Sequence, residues 1–252
     1  MNDEDAADVA AALADAHATA SSVEPETFPK VGSTADAYRV QEQLTDRLRG
    51  GRGEPVGYKI GFTNERVRRE LAVDEPGYGR LLARTVQSST TAVDAGAFVD
   101  LRIEPEVAFR LGSDLPADAS RDRARDAVTA VVPAIELVDS RTGWEFDAPL
   151  AVADNCLDAG LALGERTDPA GLALDEEAVT LRVDGDPVGS GVGADALGHP
   201  LAALTWLADA IDGLAAGALA TTGSLTEPVP VGAGETAIAT FASLGSVELR
   251  VR

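Results

Sequence analysis

The chain has 252 residues, of which 45% are hydrophobic, so it is long enough to form one or two domains with a sizeable core. Its formal net charge is −21, and such an acidic surface repels nucleic acid and anionic membranes, so neither is expected as a partner. No apolar run of about 18 residues predicts a membrane span, and the single cysteine excludes an internal disulfide framework and a multi-cysteine zinc site.

The beginning of the sequence, MNDEDAAD, is acidic and lacks the basic region of a signal peptide, so we expect a cytoplasmic protein. The acids are scattered along the chain, and lysine occurs only at Lys30 and Lys59. Acidic excess, scarce lysine and plentiful alanine and glycine together are typical of proteins from halophiles. This composition predicts a habitat and says nothing about activity.

The first part of the chain reads as helical. Residues 5–17 and 33–49 are predicted helices, the second capped by Ser33 or Thr34 and ended by the segment GGRGEP. A short strand, VGYKIGF, follows, and then a short helix in NERVRRELAV that Asn64 opens.

From about residue 80, short strands dominate, with a hairpin signal at the Asp-Gly pair between Val183 and Val188. One helix interrupts them, HPLAALTWLADAIDGL, with Pro200 in its first turn. The pattern predicts an α+β fold with a helical N-terminal region, residues 1–70, packed on a β-rich body, residues 71–252. The body has too few helices for a doubly wound sheet, so a mixed or antiparallel roll, sandwich or barrel is expected.

Two acids interrupt an apolar strand in the segment LRIEPEVAFRLG. Glu104 and Glu106 project from one face of that strand, with Cα atoms about 7 Å apart. Pro105 between them donates no hydrogen bond, which indicates an edge or bulged strand. Paired glutamates facing solvent and a site for a cation are both open interpretations at this point.

A third carboxylate, Glu136, is set in the apolar strand VVPAIELVDS. Three carboxylates suit a hard divalent cation, Mg²⁺ or Mn²⁺. Lys59, in a chain that otherwise uses arginine, can lose its proton beside a cation and is a candidate acid–base group, although a surface lysine is the alternative.

Other polar residues have weaker signals. Asn155 and Ser224 are candidates for orienting a substrate, or are parts of turns; Arg141 either binds a distal substrate carboxylate or pairs with surface acids. His199, before Pro200, is interpreted as structural, and Cys156 as a buried small residue.

Several ordered segments resemble one family, the 2-keto-4-pentenoate hydratase and 2-oxo-3-hexenedioate decarboxylase group of the fumarylacetoacetate hydrolase superfamily. The matching stretches are GYKIGFT, EPGYGRL, IEPEVAF, PAIELVDSR, VADNCLDAGLALG, GVGADALGHPLAALTWLAD and GSLTEPVPVGAGE. The resemblance implies a divalent metal on Glu104, Glu106 and Glu136, an acid–base role for Lys59 and a β-roll-like body. It also implies a homo-oligomer.

The resemblance implies a lyase of aromatic catabolism that hydrates a 2-hydroxy-2,4-dienoate to a 4-hydroxy-2-oxo acid. The alternatives are decarboxylation of 2-oxo-3-hexenedioate, an acylpyruvate-type hydrolase or oxaloacetate-acting enzyme, and a non-catalytic partner subunit. Glu136 as third ligand, and His17 as the only histidine upstream of the carboxylates, favour the hydratase and decarboxylase branch over the hydrolases. The sequence departs from the pattern at Gly77, where many hydratases carry Asp, and at TGWEF, where the family often shows Ile-x-Asp-Trp.

Overall fold

A computed structural model describes residues 1–144 and 146–252. The segment TGWEF, singled out above, therefore lies within the described chain apart from Glu145. In the described residues the α-helices are α1 (Asp3–Thr19), α2 (Thr34–Arg52), α3 (Glu65–Glu70), α4 (Arg121–Ala127), α5 (Ala148–Ala153) and α6 (Pro200–Ala210).

Thirteen strands follow in chain order in the same described ranges: β1 (Pro55–Gly61), β2 (Gly77–Leu82), β3 (Val86–Ser88), β4 (Ala92–Val93), β5 (Arg102–Leu111), β6 (Val128–Val138), β7 (Asp158–Leu163), β8 (Ala178–Val183), β9 (Asp186–Val192), β10 (Leu219–Thr221), β11 (Val229–Pro230), β12 (Thr236–Phe241) and β13 (Gly245–Val251). They form two mixed sheets. One has the order β2-β1-β10-β5-β6-β7-β3, with β11 also on β5, and the other has the order β4-β13-β12-β8-β9.

Among the apolar clusters of the described residues, the two largest hold most of these elements together. The larger one fills the space between the two sheets and includes Phe109, Ile135 and Val247. The smaller one joins α1 and α2 to α5 and to Leu82 of β2, with Leu13 and Leu44 fully buried. The N-terminal helices are therefore packed on the edge of the large sheet through their apolar faces.

The strand β5 lies inside the large sheet, so the edge-strand alternative that Pro105 indicated is wrong, and its register irregularity lies between Arg110 and Leu111, away from the proline. It pairs with β6 along its length, while its other side pairs first with β11 and then with β10. Pro105 lies between those two partners, where the backbone amide of Leu225 donates to the Pro105 carbonyl at 3.0 Å. The missing N–H of proline is tolerated because the neighbouring strand is interrupted there. The interruption, residues 222–228, becomes a wall of the candidate site.

The α+β class with a mixed-sheet body and N-terminal helices is confirmed. The second helix runs further than expected, through Gly50 and Gly51 to Arg52, because Gly53 with its φ of 83° provides the C-cap. The short helices α4 and α5 were not predicted. The division at residue 70 stays a prediction; β1, on its N-terminal side, is a strand of the large sheet. Within residues 1–144 and 146–252, no helix has the length and apolar character needed to cross a membrane.

Candidate metal and acid–base site

Three glutamates meet on one face of the large sheet. Glu104 on β5 lies directly opposite Glu136 on β6 in the antiparallel register, and Glu106 follows two residues along β5. One carboxylate oxygen from each lies within 4.8 Å of the other two. The strand period of two explains why Glu104 and Glu106 share a face, and the register adds the third carboxylate.

These carboxylates are crowded and largely dry. Glu106 and Glu136 are fully buried, and burial raises the pKa of both above its ordinary range. Glu104 is partly exposed; burial and then the charge of Glu136 raise its pKa to about 7. Within residues 1–144 and 146–252, Glu106 Oε1 and Glu136 Oε2 find no hydrogen-bond partner. Buried carboxylate oxygens without partners are costly, and a hard cation would satisfy them.

Lys59 projects from β1 into the same cluster and is 3% exposed. Its Nζ lies 3.0 Å from Glu136 Oε1 and donates to the Cys156 carbonyl oxygen at 2.9 Å. Burial alone would lower the pKa of Lys59, but the nearby carboxylates, Glu136 first, outweigh burial and hold it above its ordinary value. Lys59 is therefore a charged, buried ammonium group beside the carboxylates, and a cation on the glutamates would weaken its hold on the proton.

A cavity of about 490 Å³ opens onto this cluster. Its walls come from β1 and the chain up to Leu71, from the loop after β10, and from Trp144 and Phe146. Lys59, Glu104 and Ser224 line it. The Ser224 hydroxyl donates to the Thr226 carbonyl at 2.7 Å, which fixes the loop beside Glu104. The backbone amide of Gly223 in the same loop donates to Glu106 Oε2 at 3.0 Å.

Asn155 and Arg141, the other predicted substrate-binding residues, are not among the residues that line this cavity. The Arg141 side chain is buried, donating to Asp154 Oδ2 at 2.8 Å and lying 3.6 Å from Asp139. Arg141 thus pairs with acids, as the second interpretation predicted, but these acids are buried and not on the surface. The Asn155 side chain is bonded to backbone atoms of Arg80 on β2.

The histidines and the cysteine have structural surroundings. His199 caps α6, its Nδ1 accepting from the Leu201 amide at 3.0 Å. His17 on α1 is buried, and its Nε2 lies 2.9 Å from Asp154 Oδ1. Burial and the nearby Arg141 lower the pKa of His17 to about 4, so it is neutral at pH 7 and donates to the carboxylate. Burial raises the pKa of the Cys156 thiol to about 11, which leaves it unreactive.

Comparison with known proteins shows the family of the chain. Residues 61–252 match the family described as fumarylacetoacetate (FAA) hydrolase C-terminal. The chain belongs to this family. A 2-keto-4-pentenoate hydratase from Burkholderia vietnamiensis is 36% identical over 98% of this chain and 97% of its own length. The TodF product hydratase from Pseudomonas putida is also 36% identical, over 84% of this chain and 81% of its own.

A solved structure of 4-oxalocrotonate decarboxylase from Pseudomonas putida G7, complexed with magnesium and adipate, superposes with a TM-score of 0.94. It is 27% identical, and the match covers 100% of this chain and 99% of that one. The protein is thus an enzyme of the fumarylacetoacetate hydrolase family, and the relatives named here are hydratases and a decarboxylase.

Two charged residues of this family member were missed by sequence reasoning. Asp158, at the start of β7, is buried, and burial raises its pKa to about 6. Arg102 lines the cavity two residues before Glu104, and its guanidinium lies 3.9 Å from the centre of the Trp144 ring. The alternation along β5 was the available signal for Arg102, because it shares a face with Glu104. Asp158 had no such signal.

Proposed function

We propose that this protein is a metal-dependent hydratase that adds water to a 2-hydroxy-2,4-dienoate of the 2-oxo-4-pentenoate type. The product is a 4-hydroxy-2-oxo acid, and the reaction belongs to the breakdown of aromatic compounds. The observation that carries the proposal is the meeting of Glu104, Glu106 and Glu136 with Lys59 at one cavity. Two hydratases that are 36% identical over most of the chain support it.

The three glutamates are the proposed ligands of Mg²⁺ or Mn²⁺. Their oxygens suit a hard cation, and two of these oxygens are buried and unpartnered among the described residues. When bound, the cation supplies Lewis-acid stabilisation of negative charge on the carboxylate and C2 oxygens of a 2-oxo acid. The magnesium in the structure of the Pseudomonas putida G7 decarboxylase supports a divalent ion here.

Lys59 is the proposed proton carrier. Ketonisation of the dienol moves a proton from the C2 hydroxyl to C5 and leaves a C3–C4 double bond conjugated with the 2-oxo group. Water then adds at C4, a proton goes to C3, and the atoms balance as dienol plus water. Lys59 lines the cavity with an ammonium proton to give, whereas the other lining cation, Arg102, does not release its proton.

The walls of the cavity fit a small acid with an apolar tail. Trp144, Phe146 and Leu71 contribute apolar surface to the lining, and the Arg102 guanidinium lies against the Trp144 ring. A wall of this kind keeps bulk water from the reacting carbons, so that water addition is controlled by the polar end of the site. Ser224 is the proposed orienting residue, because it lines the cavity in the loop beside Glu104.

The second candidate is a 2-oxo-3-hexenedioate decarboxylase. The superposition on 4-oxalocrotonate decarboxylase, with a TM-score of 0.94 over nearly the whole of both chains, favours it. Arg102 adds a cation that a second substrate carboxylate needs. The electron pair released by loss of CO₂ would pass to the 2-oxo group of the substrate, and a cation held by the same carboxylate cluster would stabilise the negative charge on its oxygen. A non-catalytic partner subunit is disfavoured because the carboxylates and Lys59 are all present; the homo-oligomer stays a prediction.

A product assay separates the candidates. Purified protein in molar KCl with Mg²⁺ or Mn²⁺ is given 2-hydroxypenta-2,4-dienoate and 2-oxo-3-hexenedioate in separate assays. Ultraviolet absorbance and CO₂ release are measured in each. Metal-dependent loss of the dienoate without CO₂ is expected. CO₂ from the dioate, with no hydration of the dienoate, would replace the first proposal by the second. No turnover of either substrate would overturn both.

A further inference from the structure

A rare backbone conformation lies directly behind Lys59. Asn155, Cys156 and Leu157 have φ angles of 50°, 55° and 63°, three consecutive residues in the left-handed region, and none of them is glycine. Asparagine tolerates this region, but cysteine and leucine are strained in it, so the surroundings must hold the turn in place. Strain of this kind clusters at functional sites, where the structure around it fixes one geometry.

The Asn155 side chain holds the turn against β2. Its Oδ1 accepts from the Arg80 amide at 2.7 Å, and its Nδ2 donates to the Arg80 carbonyl at 2.9 Å. The amide therefore pairs with both backbone groups of one residue, as a neighbouring strand would. Gly79 allows the close approach, since a Cβ there would lie 2.2 Å from the Asn155 carbonyl oxygen.

The left-handed turn directs the Cys156 carbonyl group at Lys59. The Cys156 oxygen accepts from Nζ at 2.9 Å, and Glu136 Oε1 lies 3.0 Å from the same nitrogen. An ammonium group has three N–H donors in tetrahedral directions. The Cys156 carbonyl fixes the direction of one of them, the ion pair with Glu136 Oε1 holds the group beside the carboxylates, and Lys59 also lines the cavity.

We infer that Asn155 is a positioning residue, which aims the Lys59 ammonium by clamping the left-handed turn to β2. This inference rests on the proposed role of Lys59 as proton carrier. It gives Asn155 a task different from direct substrate contact, and it assigns the Cys156 carbonyl, not its thiol, to the site. Misplacing a proton donor by about 1 Å can lower a rate by about 100-fold while binding is preserved.

The test compares Asn155→Ala with Gln41→Ala as a matched control. Gln41 is also a buried side-chain amide that ties β2 down, donating to the Tyr78 and Val152 carbonyls at 2.8 Å each, and neither of these bonds goes to the turn. Asn155→Gly, which removes the same side-chain bonds and adopts the left-handed region without strain, serves as the second variant if the alanine variant folds poorly.

For Asn155→Ala we expect kcat to fall about 30- to 100-fold, with KM and Mn²⁺ affinity within about twofold of the wild type. Asn155→Gly should show a fall in kcat of similar size. Gln41→Ala should lose stability to a similar extent and keep its kcat. A rise in KM at constant kcat, or a parallel loss of Mn²⁺ affinity, would overturn the inference.

Crystal structures of the wild type and of the folded Asn155 variant test, independently of activity, whether Asn155 positions the turn beside Lys59. The expected result is a Cys156 carbonyl moved out of hydrogen-bond range of Lys59 Nζ, with the register of Glu104 and Glu136 unchanged. An unmoved turn would overturn the inference. If the wild type turned over neither substrate, the proposed function would fail, and the crystal structures alone would still decide whether Asn155 positions Lys59.

Discussion

Glu104 and Glu136 face each other as a directly opposed pair across two strands in the interior of a sheet. Like charges in opposed positions destabilise a sheet, and here a third carboxylate, Glu106, is buried beside them. The Lys59 ammonium compensates only part of this charge. The fold therefore keeps an arrangement that is unfavourable without a cation, which is the expected property of a site selected for binding rather than for stability.

Replacing Glu106 with glutamine should remove metal-dependent behaviour and leave the fold intact. Without metal, we expect no loss of thermal stability, because one charge leaves a crowded buried cluster. With Mn²⁺ at about 100 times its Kd, the wild type should gain about 5–10 °C in Tm, and the variant should gain almost nothing. Turnover should fall at least about 100-fold.

The matched control is Glu42→Gln, which removes one negative charge from the exposed face of α2. It should keep both the Mn²⁺-induced rise in Tm and the turnover of the wild type. Unchanged turnover in Glu106→Gln, measured beside this control, would remove Glu106 from the metal site.

Local sequence predicted the site residues better than it predicted their partners. Glu104, Glu106 and Lys59 could be identified because charged residues in apolar strands are conspicuous and because strand alternation sets their common face. The direct opposition of Glu104 and Glu136 could not, since the β5–β6 register depends on the connection through α4, whose charged sequence RDRARDA has little apolar periodicity.

The backbone conformation and hydrogen bonds around Asn155 could not be predicted from the sequence either. Three left-handed residues without glycine have no sequence signature, and the bonds that stabilise them come from Arg80, 75 positions earlier. Pro105 misled for a related reason: proline excludes a continuous pair of neighbouring strands, but the gap between β10 and β11 lies far away in sequence. Long-range pairing decides such features, and local propensity does not.

Replacing Lys59 with methionine should separate metal binding from proton transfer. The variant keeps the length and apolar stem of the side chain and loses the charge. We expect turnover to fall at least about 100-fold while Mn²⁺ still binds. Without metal, the variant should be less stable than the wild type, because Glu136 loses its ion pair, and added Mn²⁺ should restore much of the difference. Calorimetric titration and scanning measure both effects; turnover at the wild-type rate would dismiss Lys59 as proton carrier.

The pair of His17 and Asp154 should make the stability of the protein depend on pH. The pKa of His17 is about 4 in the fold against 6.5 for the unfolded residue, so the unfolded state binds more protons between these values. Stability from this histidine is full above pH 6.5 and is lost as the pH falls toward 4. The loss is on the order of 3 kcal/mol.

Denaturant unfolding of His17→Gln at several pH values tests this linkage. Glutamine can still donate to Asp154 but does not titrate. The unfolding free energy of the wild type should therefore fall relative to that of the variant as the pH goes from 7 to 4.5, and an advantage of the wild type at pH 7 should narrow. A gap that stays constant over this range would contradict the low pKa of His17. His199→Gln, at the half-buried cap of α6, is the control and should show a smaller change.

Gly77 provides a test of reaction preference. A Cβ at this position would lie 3.0 Å from Val152 Cγ2 and 3.2 Å from the Phe62 ring, so any side chain requires a small shift of both. Phe62 lines the cavity. We expect Gly77→Asp to lose about 1–3 kcal/mol of stability and to raise kcat/KM for the dienoate without raising it for 2-oxo-3-hexenedioate, since many hydratases of the resembling group carry Asp there. Gly77→Ala causes similar crowding without a carboxylate, and an equal change of kcat/KM for the dienoate in both variants would refute a role for the acid.

The net charge of −21 should make stability depend on salt. Mutual repulsion of surface carboxylates opposes the compact state, and salt weakens it by shortening the Debye length from about 10 Å at 0.1 M to about 3 Å at 1 M. The Tm should therefore rise with KCl. If charge repulsion is the cause, most of the rise should come below about 0.5 M KCl and then level off, because screening is then nearly complete. A rise that continues in proportion to concentration up to several molar would instead show that salt acts through exclusion from the protein surface, and the acidic composition would not be its reason.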